Sequence, residues 1–242
     1  MDEGTPATSA AFGSPIGVSA SAIRELVAAR RSVRAFRADP PPLDLVLDAL
    51  MQAGWAPSGS NMQPWHAHVV MGHAIADLKA LMLERLADAP QGEGTGFHYP
   101  RELKAPYAQR RFRNGEELYA LLGLAREDRA GRKRQLYRNY DFFGAGMGVF
   151  LYIDRQMGPH FWIDVGAFLQ TFLLVLKANG VDSCAQGAWA FYGPSVSRFL
   201  GADRAHTLLC GISVGYADPS APENGLVPQR AATSEYVRIH GG

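Results

Sequence analysis

Three arginines and a serine lie within five residues, at Arg30, Arg31, Ser32 and Arg34. A guanidinium group is a planar fork that can bind two phosphate oxygens, and each charge-assisted hydrogen bond contributes about 1.5–3 kcal/mol. A cation about 4 Å from a developing negative charge in a partly buried site stabilises that charge by roughly 4 kcal/mol. The cluster is therefore a candidate site for a phosphorylated cofactor. The alternative is a solvated basic face at a helix C-terminus, where arginines complement the helix dipole.

Two other stretches combine polar side chains with proline. The first reads Pro57-Ser58-Gly59-Ser60-Asn61-Met62-Gln63-Pro64-Trp65, and the second, near the C-terminus, reads Pro228-Gln229-Arg230. The prolines and the glycine of the first stretch break helix and strand periodicity, so the sequence predicts a loop between a helix and a strand. This loop could present amides and hydroxyls to a ligand, or it could be a turn that only closes the connection.

A third polar interruption follows a late apolar segment and reads Cys184-Ala185-Gln186-Gly187-Ala188. Three aromatic residues come directly after it, at Trp189, Phe191 and Tyr192. Aromatic side chains at this position could line a substrate face or pack in the core.

Three further patterns lack the context that their chemistry needs. The glycine-rich run from Gly144 to Gly148 precedes an apolar strand instead of following one, so it does not fit a dinucleotide-binding loop. His66 and His68 share one face of a predicted strand, but no other ligand stands at a useful spacing, and we predict no metal site. Ser58 has no Gly-x-Ser-x-Gly elbow, which gives a serine hydrolase little support.

The composition favours one globular domain with a large core. The chain has 242 residues, 47% hydrophobic and 19% charged, and a net charge of +1. So small a charge provides no general field for nucleic acid or an acidic membrane. The sequence also predicts no membrane span and no signal peptide. Cys184 and Cys210 lack metal-ligand spacing and are predicted as reduced core residues, which fits a cytoplasmic protein.

Hydrophobic periodicity predicts the elements that must position these residues. One helix begins near Ser19 or Ser21 and ends at about Arg30, where it delivers the arginine cluster. Strands scattered among helices without regular alternation favour an α+β fold over a doubly wound sheet. The other predicted helices are 43–54, 73–87, 116–124, 130–139, 161–179 and a short one after Pro194. The predicted strands are 65–71, one within 142–153 that is centred on 149–153, 181–190 and 207–214.

Residues 1–18 are rich in Ala, Ser, Thr, Gly and Pro and are predicted as a flexible N-terminal tail. Residues 19–242 then form a single domain. Within it, 88–140 is predicted as a helical and loop insertion near the active site. Its first part, 88–115, contains several glycines, prolines and aromatic residues and is typical of a lid or substrate wall, or of a loosely packed surface loop.

Taken in this order, the polar stretches resemble those of the FMN-dependent nitroreductase family, over residues 20–240, and in particular its nitrobenzoate-reductase branch. That family has an Arg-x-Ser-x-Arg/Lys element near the N-terminus, a Pro-Ser-x-x-Asn-x-Gln-Pro-Trp loop, and an arginine just before the C-terminal segment. In the family, a proline often lies near the backbone amide that contacts flavin atom N5. At the corresponding place this chain has the segment around Gln186, which contains no proline. By this resemblance the residues that bind FMN are Arg30, Arg31, Ser32, Arg34, Pro57, Ser58, Gly59, Ser60, Asn61, Gln63, Gln186, Gly187 and Arg230.

The resemblance also implies a role for each group. The phosphate of FMN is bound by Arg30, Arg31, Ser32 and Arg230. Arg34 is the cation near N1 of the reduced flavin. The backbone N–H of Gly187 stands opposite flavin N5. The loop 57–63 reaches the flavin that is bound mainly by the other subunit.

The implied fold is a three-layer α/β/α arrangement with a central mixed, mainly antiparallel sheet, assembled as an obligate homodimer. The implied reaction is ping-pong: NADH or NADPH passes a hydride to flavin N5, and a nitroaromatic compound then takes it in the same pocket. Flavin carries this chemistry, so no catalytic acid, base or nucleophile is required of the chain. The alternatives are another acceptor on the same scaffold (an enone or quinone reductase, a dehalogenase or a ring dehydrogenase), a flavin-binding protein without turnover, or an FMN-free protein that binds another phosphate ligand.

Four basic residues in the insertion, Arg101, Lys104, Arg110 and Arg111, suit a flat anionic acceptor such as a nitrobenzoate, or else form a solvated basic face. The sequence contains no ribose-recognition fingerprint and leaves NADH and NADPH equally open.

Overall fold

The computed structural model describes residues 17–95, 100 and 102–241. Most of the predicted N-terminal tail and Arg101 therefore lie outside the described residues. The helices are α1 Ala20–Ala29, α2 Leu43–Ala53, α3 His73–Asp88, α4 Tyr107–Leu121, α5 Arg129–Tyr137, α6 Trp162–Ala178, α7 Gly193–Leu200 and α8 Thr233–Tyr236. The strands are β1 Trp65–Met71, β2 Met147–Asp154, β3 Asp182–Gln186 and β4 His206–Gly215.

The four strands form one sheet in the order β1-β2-β4-β3, and each neighbouring pair is antiparallel. Ser32 adds a parallel bridge to Ser183 at the edge of β3. The predicted mixed, mainly antiparallel sheet is confirmed. This bridge holds the arginine cluster beside β3.

Helices cover both faces of the sheet, which explains why the central strand β2 is apolar at nearly every position. Phe150 and Tyr152 point to a core shared with α3 and α7. Val149 and Leu151 point to the opposite core, which is shared with α2 and α6. The structure thus has the predicted three-layer α/β/α architecture.

Two glycines allow aromatic rings to lie flat on the sheet. A Cβ at Gly211 would overlap the Trp189 indole, and one at Gly148 would overlap the Phe142 ring. The centroids of these two rings are 4.6 Å apart, and Trp189 is completely buried. The reading of Trp189 as a core residue is therefore confirmed.

The predicted strand 181–190 is too long, because the chain turns into a 3-10 helix at Gly187 and folds Trp189 over Gly211. The strand expected within 142–153 and centred on 149–153 is β2, which begins at Met147. Before it, Phe142 and Phe143 have left-handed φ values of 50° and 54° in a 3-10 turn. In both places aromatic residues are buried by irregular backbone, which the sequence pattern does not distinguish from a strand.

The helix expected at 116–124 begins much earlier, at Tyr107. None of the residues of α4 is buried, so its apolar periodicity is weak and its start could not be read from hydrophobic spacing. The predicted bounds of α2, α3 and α6 agree with the structure to within about two residues at each end.

By length and composition alone, one helical stretch among the described residues, Pro159–Ala178, could cross a membrane. In this fold it contains α6, which packs against α2 and β3 through Phe168, Phe172 and Leu176. At its N-terminal end Ile163 is 75% exposed.

Candidate functional site

The arginine cluster lies on an extended segment that leaves α1 and runs beside β3. Ser19 caps α1 by accepting a hydrogen bond from the N–H of Ala22 at 3.1 Å, and the helix gives way to extended backbone at Arg30. The N–H of Val33 then donates to the carbonyl of Ser183 at 3.1 Å. This pairing brings the segment to the edge of the sheet where β3 begins.

Arg30, Ser32 and Arg34 come together around the thiol of Cys184. Burial raises the pKa of Cys184, while the Arg34 charge, a hydrogen bond with the Ser32 side chain and the Arg30 charge act in the opposite direction. The thiol is therefore protonated at neutral pH and brings no negative charge to the cluster. Both Cys184 and Cys210 are buried free thiols, as predicted.

Asn224 fixes the backbone at Arg34, a role that no local sequence pattern indicates. Its Oδ1 accepts hydrogen bonds from the N–H groups of Arg34 and Ala35 at 2.9 and 3.2 Å, and its Nδ2 donates to the carbonyl of Ala35 at 2.8 Å. The neighbouring carboxylate of Glu223 is 4% exposed and pairs with Arg138 at 2.5 Å. Residues 223–224 thus tie the arginine segment to the turn after α5.

A cavity of about 930 Å³ opens between the end of β3 and helices α4 and α5. This volume is near the upper end of the roughly 300–1,000 Å³ of small-molecule sites. The cavity brings together three of the predicted site residues, Arg34, Gln186 and Gly187. Phe191 and Tyr192 line it too, so these two aromatic residues face the cavity while Trp189 packs in the core.

Gln186 and Gly187 serve the cavity in different ways. The side chain of Gln186 is buried: its Oε1 accepts from Ser213 at 2.7 Å and its Nε2 donates to the carbonyl of Asn139 at 2.7 Å. These bonds fix the end of β3 and engage both the oxygen and the nitrogen of the Gln186 side-chain amide. At Gly187, an added Cβ would meet no atom within 4 Å. Open space therefore borders the backbone of Gly187.

The predicted loop 57–63 lies away from this cavity within one chain. The N–H of Gly59 donates to Asp164 Oδ2 at 3.0 Å, near the start of α6, and the N–H of Gln63 donates to Ser58 Oγ at 3.0 Å. Ser60, Asn61 and Gln63 all have φ between 49° and 56°. Such left-handed backbone is costly outside glycine and is typical of functional loops. None of the residues 57–63, all of them described, lines the cavity.

None of the four predicted phosphate ligands, Arg30, Arg31, Ser32 and Arg230, lines the cavity. Arg31 is exposed, and Arg230 is exposed with its Nη1 donating to the carbonyls of Pro228 and Gln229 at 3.1 and 3.4 Å. The neighbouring Gln229 accepts a hydrogen bond from Arg113 of α4 at 2.5 Å. The C-terminal segment is therefore attached to α4.

The structure separates the basic residues of the insertion. Arg111 lies in the cavity wall. Arg110 pairs with Glu235 at 2.9 Å, and Lys104 is exposed and does not line the cavity. Arg101 lies outside the described residues.

Helix α5 contributes a site residue that was not expected from the sequence. Gln135 is 7% exposed, lines the cavity, and its Nε2 has no hydrogen-bond partner among the described residues. A glutamine in the polar sequence of α5 gives no sign that it is buried, because its burial depends on the tertiary packing of the helix.

The histidines of β1 make ring contacts. His66 stacks on His206 with ring centroids 3.7 Å apart, and His68 meets Tyr152 edge-on at 5.1 Å. Burial, followed by the charge of His206, lowers the pKa values of both His66 and His68. In the described part of the chain, no group of three or more His, Cys, Asp or Glu side chains could hold a metal ion.

Comparison with known proteins matches residues 27–216 to the nitroreductase family. A 4-nitrobenzoate reductase of Pseudomonas putida is 35% identical over 216 residues, which cover 89% of this chain and 94% of that protein. A chloronitrobenzene nitroreductase of Comamonas testosteroni is 33% identical over 216 residues, with coverages of 89% and 95%. Among solved structures, the FMN- and NADPH-dependent nitroreductase NfnB of Sphigopyxis sp. strain HMH has a TM-score of 0.88 and 40% identity, and the match covers 93% of this chain and 100% of that one.

Proposed function

This chain belongs to the nitroreductase family, and from that premise we propose that it is an FMN-dependent NAD(P)H oxidoreductase that reduces nitroaromatic compounds. The observation that carries the proposal is the cavity, which is lined both by Arg34 and by the backbone of Gly187 with open space beside it. Relatives named for the reduction of nitrobenzoate and chloronitrobenzene support the acceptor class. The FMN and NADPH dependence of NfnB supports the cofactors.

The residues around the cavity fit an FMN molecule. Arg34 lines the cavity, and Arg30 and Ser32 lie on the same extended segment at the edge of β3, where their donors suit a phosphate beside an electron-rich ring. At Gly187 there is no side chain, so a flat ring can approach the backbone closely. We propose that Gln186 acts through its backbone position, because its side-chain amide is already bonded.

We place the phosphate of FMN with Arg30, Arg31, Ser32 and Arg230. Arg31 and Arg230 are exposed, so their guanidinium groups can reach a ligand without loss of a buried partner. The Arg230 side chain bonds only to carbonyl oxygens of its own segment among the described residues, and a phosphate would be a stronger, charged acceptor.

The remaining predicted FMN ligands, Pro57, Ser58, Gly59, Ser60, Asn61 and Gln63, belong to the loop that lies outside the chain's own cavity. We propose that this loop completes the cavity of a second copy in a homodimer. Two observations support a symmetric contact: the loop is anchored to the start of α6, and large apolar side chains near it are exposed. They are Met51 at 62%, Trp55 at 83% and Ile163 at 75%.

The chain contributes position and charge. When bound, FMN supplies the redox chemistry, since it can accept a hydride from NAD(P)H and donate one to a nitro group. The guanidinium of Arg34 stabilises negative charge in the cavity, and the protonated thiol of Cys184 avoids opposing it. The N–H of Gly187 is the backbone donor beside the open space, and Phe191 and Tyr192 provide aromatic walls that exclude water.

Absorbance spectroscopy under anaerobic conditions tests the proposal. The purified protein should be yellow, lose its visible absorbance on addition of NADH or NADPH, and regain it on addition of a nitroaromatic compound. The initial rates with the two donors give the donor preference. Colour that persists after donor addition would indicate a binding protein without turnover. Recovery with a quinone or enone but not with a nitroaromatic compound would assign another acceptor to the same scaffold.

We also place the protein in the cytoplasm, because both of its cysteines are buried free thiols and its proposed donor is a cytoplasmic metabolite.

A further inference from the structure

One wall of the cavity, formed by α4 and α5, carries polar groups that the proposed flavin contacts leave unused. In this wall the buried amide of Gln135 has no partner for its Nε2 among the described residues. Buried amide groups are nearly always hydrogen-bonded, so an exception in a cavity wall is explained when a ligand supplies the missing acceptor.

Arg111 of α4 lies in the same wall, whereas the nearby arginines of this helix point elsewhere. Arg110 pairs with Glu235, and Arg113 bonds to Gln229, so both of these side chains reach the C-terminal segment. Of these three arginines, only Arg111 lines the cavity. A guanidinium group in a cavity favours an anionic or strongly hydrogen-bonding ligand.

Among the described residues that line the cavity, Glu116 is the one with a carboxylate, and its charge is balanced by Arg132. Both oxygens of Glu116 accept hydrogen bonds from Arg132, at 2.6 and 3.1 Å, and these bonds keep the pKa of Glu116 below its usual value. The bidentate pair also joins α4 to α5, and Asp128 caps α5 through the N–H of Gly131 at 2.7 Å. Arg111 and Gln135 are therefore presented from two helices that are tied together.

We propose that Arg111 and Gln135 determine acceptor specificity by binding a carboxylate or similar oxygen-bearing substituent on the aromatic ring. This inference rests on the proposed function. Arg111 supplies the positive charge, and the Gln135 amide donates to a substituent oxygen. The enzyme should then favour a nitrobenzoate over nitrobenzene, although both carry the same reducible group. An acceptor without such an oxygen leaves the Gln135 Nε2 donor unpaired and is discriminated against, as in other sites built to bind a polar group.

The test compares kcat/KM for 4-nitrobenzoate with kcat/KM for nitrobenzene in the FMN-loaded enzyme. Arg111→Ala should reduce this ratio at least about 10-fold, and Gln135→Leu about 5-fold, with kcat/KM for nitrobenzene changed less than about twofold. Arg111→Lys should restore part of the ratio, because it keeps the charge. The control is Arg129→Ala, which removes an exposed positive charge from α5 outside the cavity wall and should leave the ratio unchanged.

Binding provides a second readout that does not depend on turnover. The dissociation constant of 4-aminobenzoate, which cannot be reduced, can be measured from its perturbation of the flavin absorbance. We expect it to rise at least about 10-fold in Arg111→Ala and to stay constant in Arg129→Ala.

The outcomes separate this inference from the proposed function. Ratios and dissociation constants that are equal in wild type, Arg111→Ala and Gln135→Leu, with nitrobenzene still reduced, would overturn the inference and leave the function standing. A parallel loss with both acceptors would overturn it as well. A wild-type enzyme that is bleached by NADPH but reduces neither nitroaromatic compound would contradict both.

Discussion

The role that we propose for Gly187 depends on the absence of a side chain. The space beside it contains no protein atom within 4 Å of an ideal Cβ, and it borders the cavity that also holds Arg34. The resemblance of the surrounding polar stretches to the nitroreductase family led to both predictions. It did not identify Asn224 or Gln135, because their roles depend on contacts with distant segments that no local pattern records.

Replacing Gly187 by valine should separate cofactor binding from folding. The new side chain enters open space, so the melting temperature of the FMN-free protein should change by no more than about 2 °C. The same side chain occupies the space proposed for the flavin, and the FMN dissociation constant should rise at least about 10-fold. Fluorescence titration with FMN measures this, and an unchanged affinity would place the flavin elsewhere.

The histidines of β1 give stability a defined dependence on pH. The pKa of His66 is lowered from 6.5, first by burial and then by His206, against smaller opposing effects of Asp154 and Asp203. The unfolded chain therefore binds more protons than the folded chain just below pH 6.5. This contribution to stability is complete above pH 6.5 and is lost as the pH falls.

We expect the thermal unfolding midpoint to decrease as the pH is lowered from about 7 to about 5, above the range in which the carboxylates titrate. His66→Gln should make this decrease shallower, because one of the two histidines with a lowered pKa is removed and His68 remains. Scanning calorimetry across this range is the measurement. Identical slopes for wild type and variant would show that His66 does not contribute.

At the scale of elements, segments with a buried apolar face were predictable, whereas the irregular turns and the start of the unburied helix α4 were not. The strand β1 agrees with the predicted range 65–71, because its Gly and Pro boundaries are local signals. The 3-10 turns at 138–144 and 187–192 were missed, because their conformation is imposed by aromatic rings that pack on the sheet. The glycines that accept these rings, Gly148 and Gly211, lie on other strands.

Gly211→Val should destabilise the fold, in contrast to the same substitution at Gly187. A Cβ at Gly211 overlaps the Trp189 indole, which is completely buried and cannot move without disturbing Phe142 and Phe150. Overpacking of this kind costs about 1–3 kcal/mol, or a decrease of about 3–10 °C in melting temperature. Chemical denaturation of the two valine variants side by side checks the difference. Equal stabilities would contradict this account of the aromatic packing.

At the scale of the whole molecule, the two helical layers differ in what they leave exposed. The α6 layer carries the loop 57–63 and exposes Ile163 near it, and we propose that this side forms the homodimer. On the opposite layer, Leu83 of α3 is similarly exposed at 72% but has no proposed partner. The two positions form a matched pair for testing the assembly.

Ile163→Glu should weaken the dimer, because it places a charge in an apolar contact. Loss of the partner's loop should then lower FMN affinity at dilute protein, and excess FMN or protein should restore it. Leu83→Glu should leave both assembly and affinity unchanged. Sedimentation velocity and FMN titration across a range of protein concentrations give the two values. A wild-type monomer that binds FMN tightly would remove the need for a partner.

The central claim is that one FMN molecule lies between the Arg34 and Gly187 side of one chain and the Ser58 loop of another. The most direct test is a crystal structure of the FMN-bound protein. We expect the ring beside the Gly187 N–H and Arg34, the phosphate on Arg30 and Arg230, and the loop of the second subunit closing the site. A flavin bound outside this cavity, or phosphate contacts that involve neither arginine, would contradict the account.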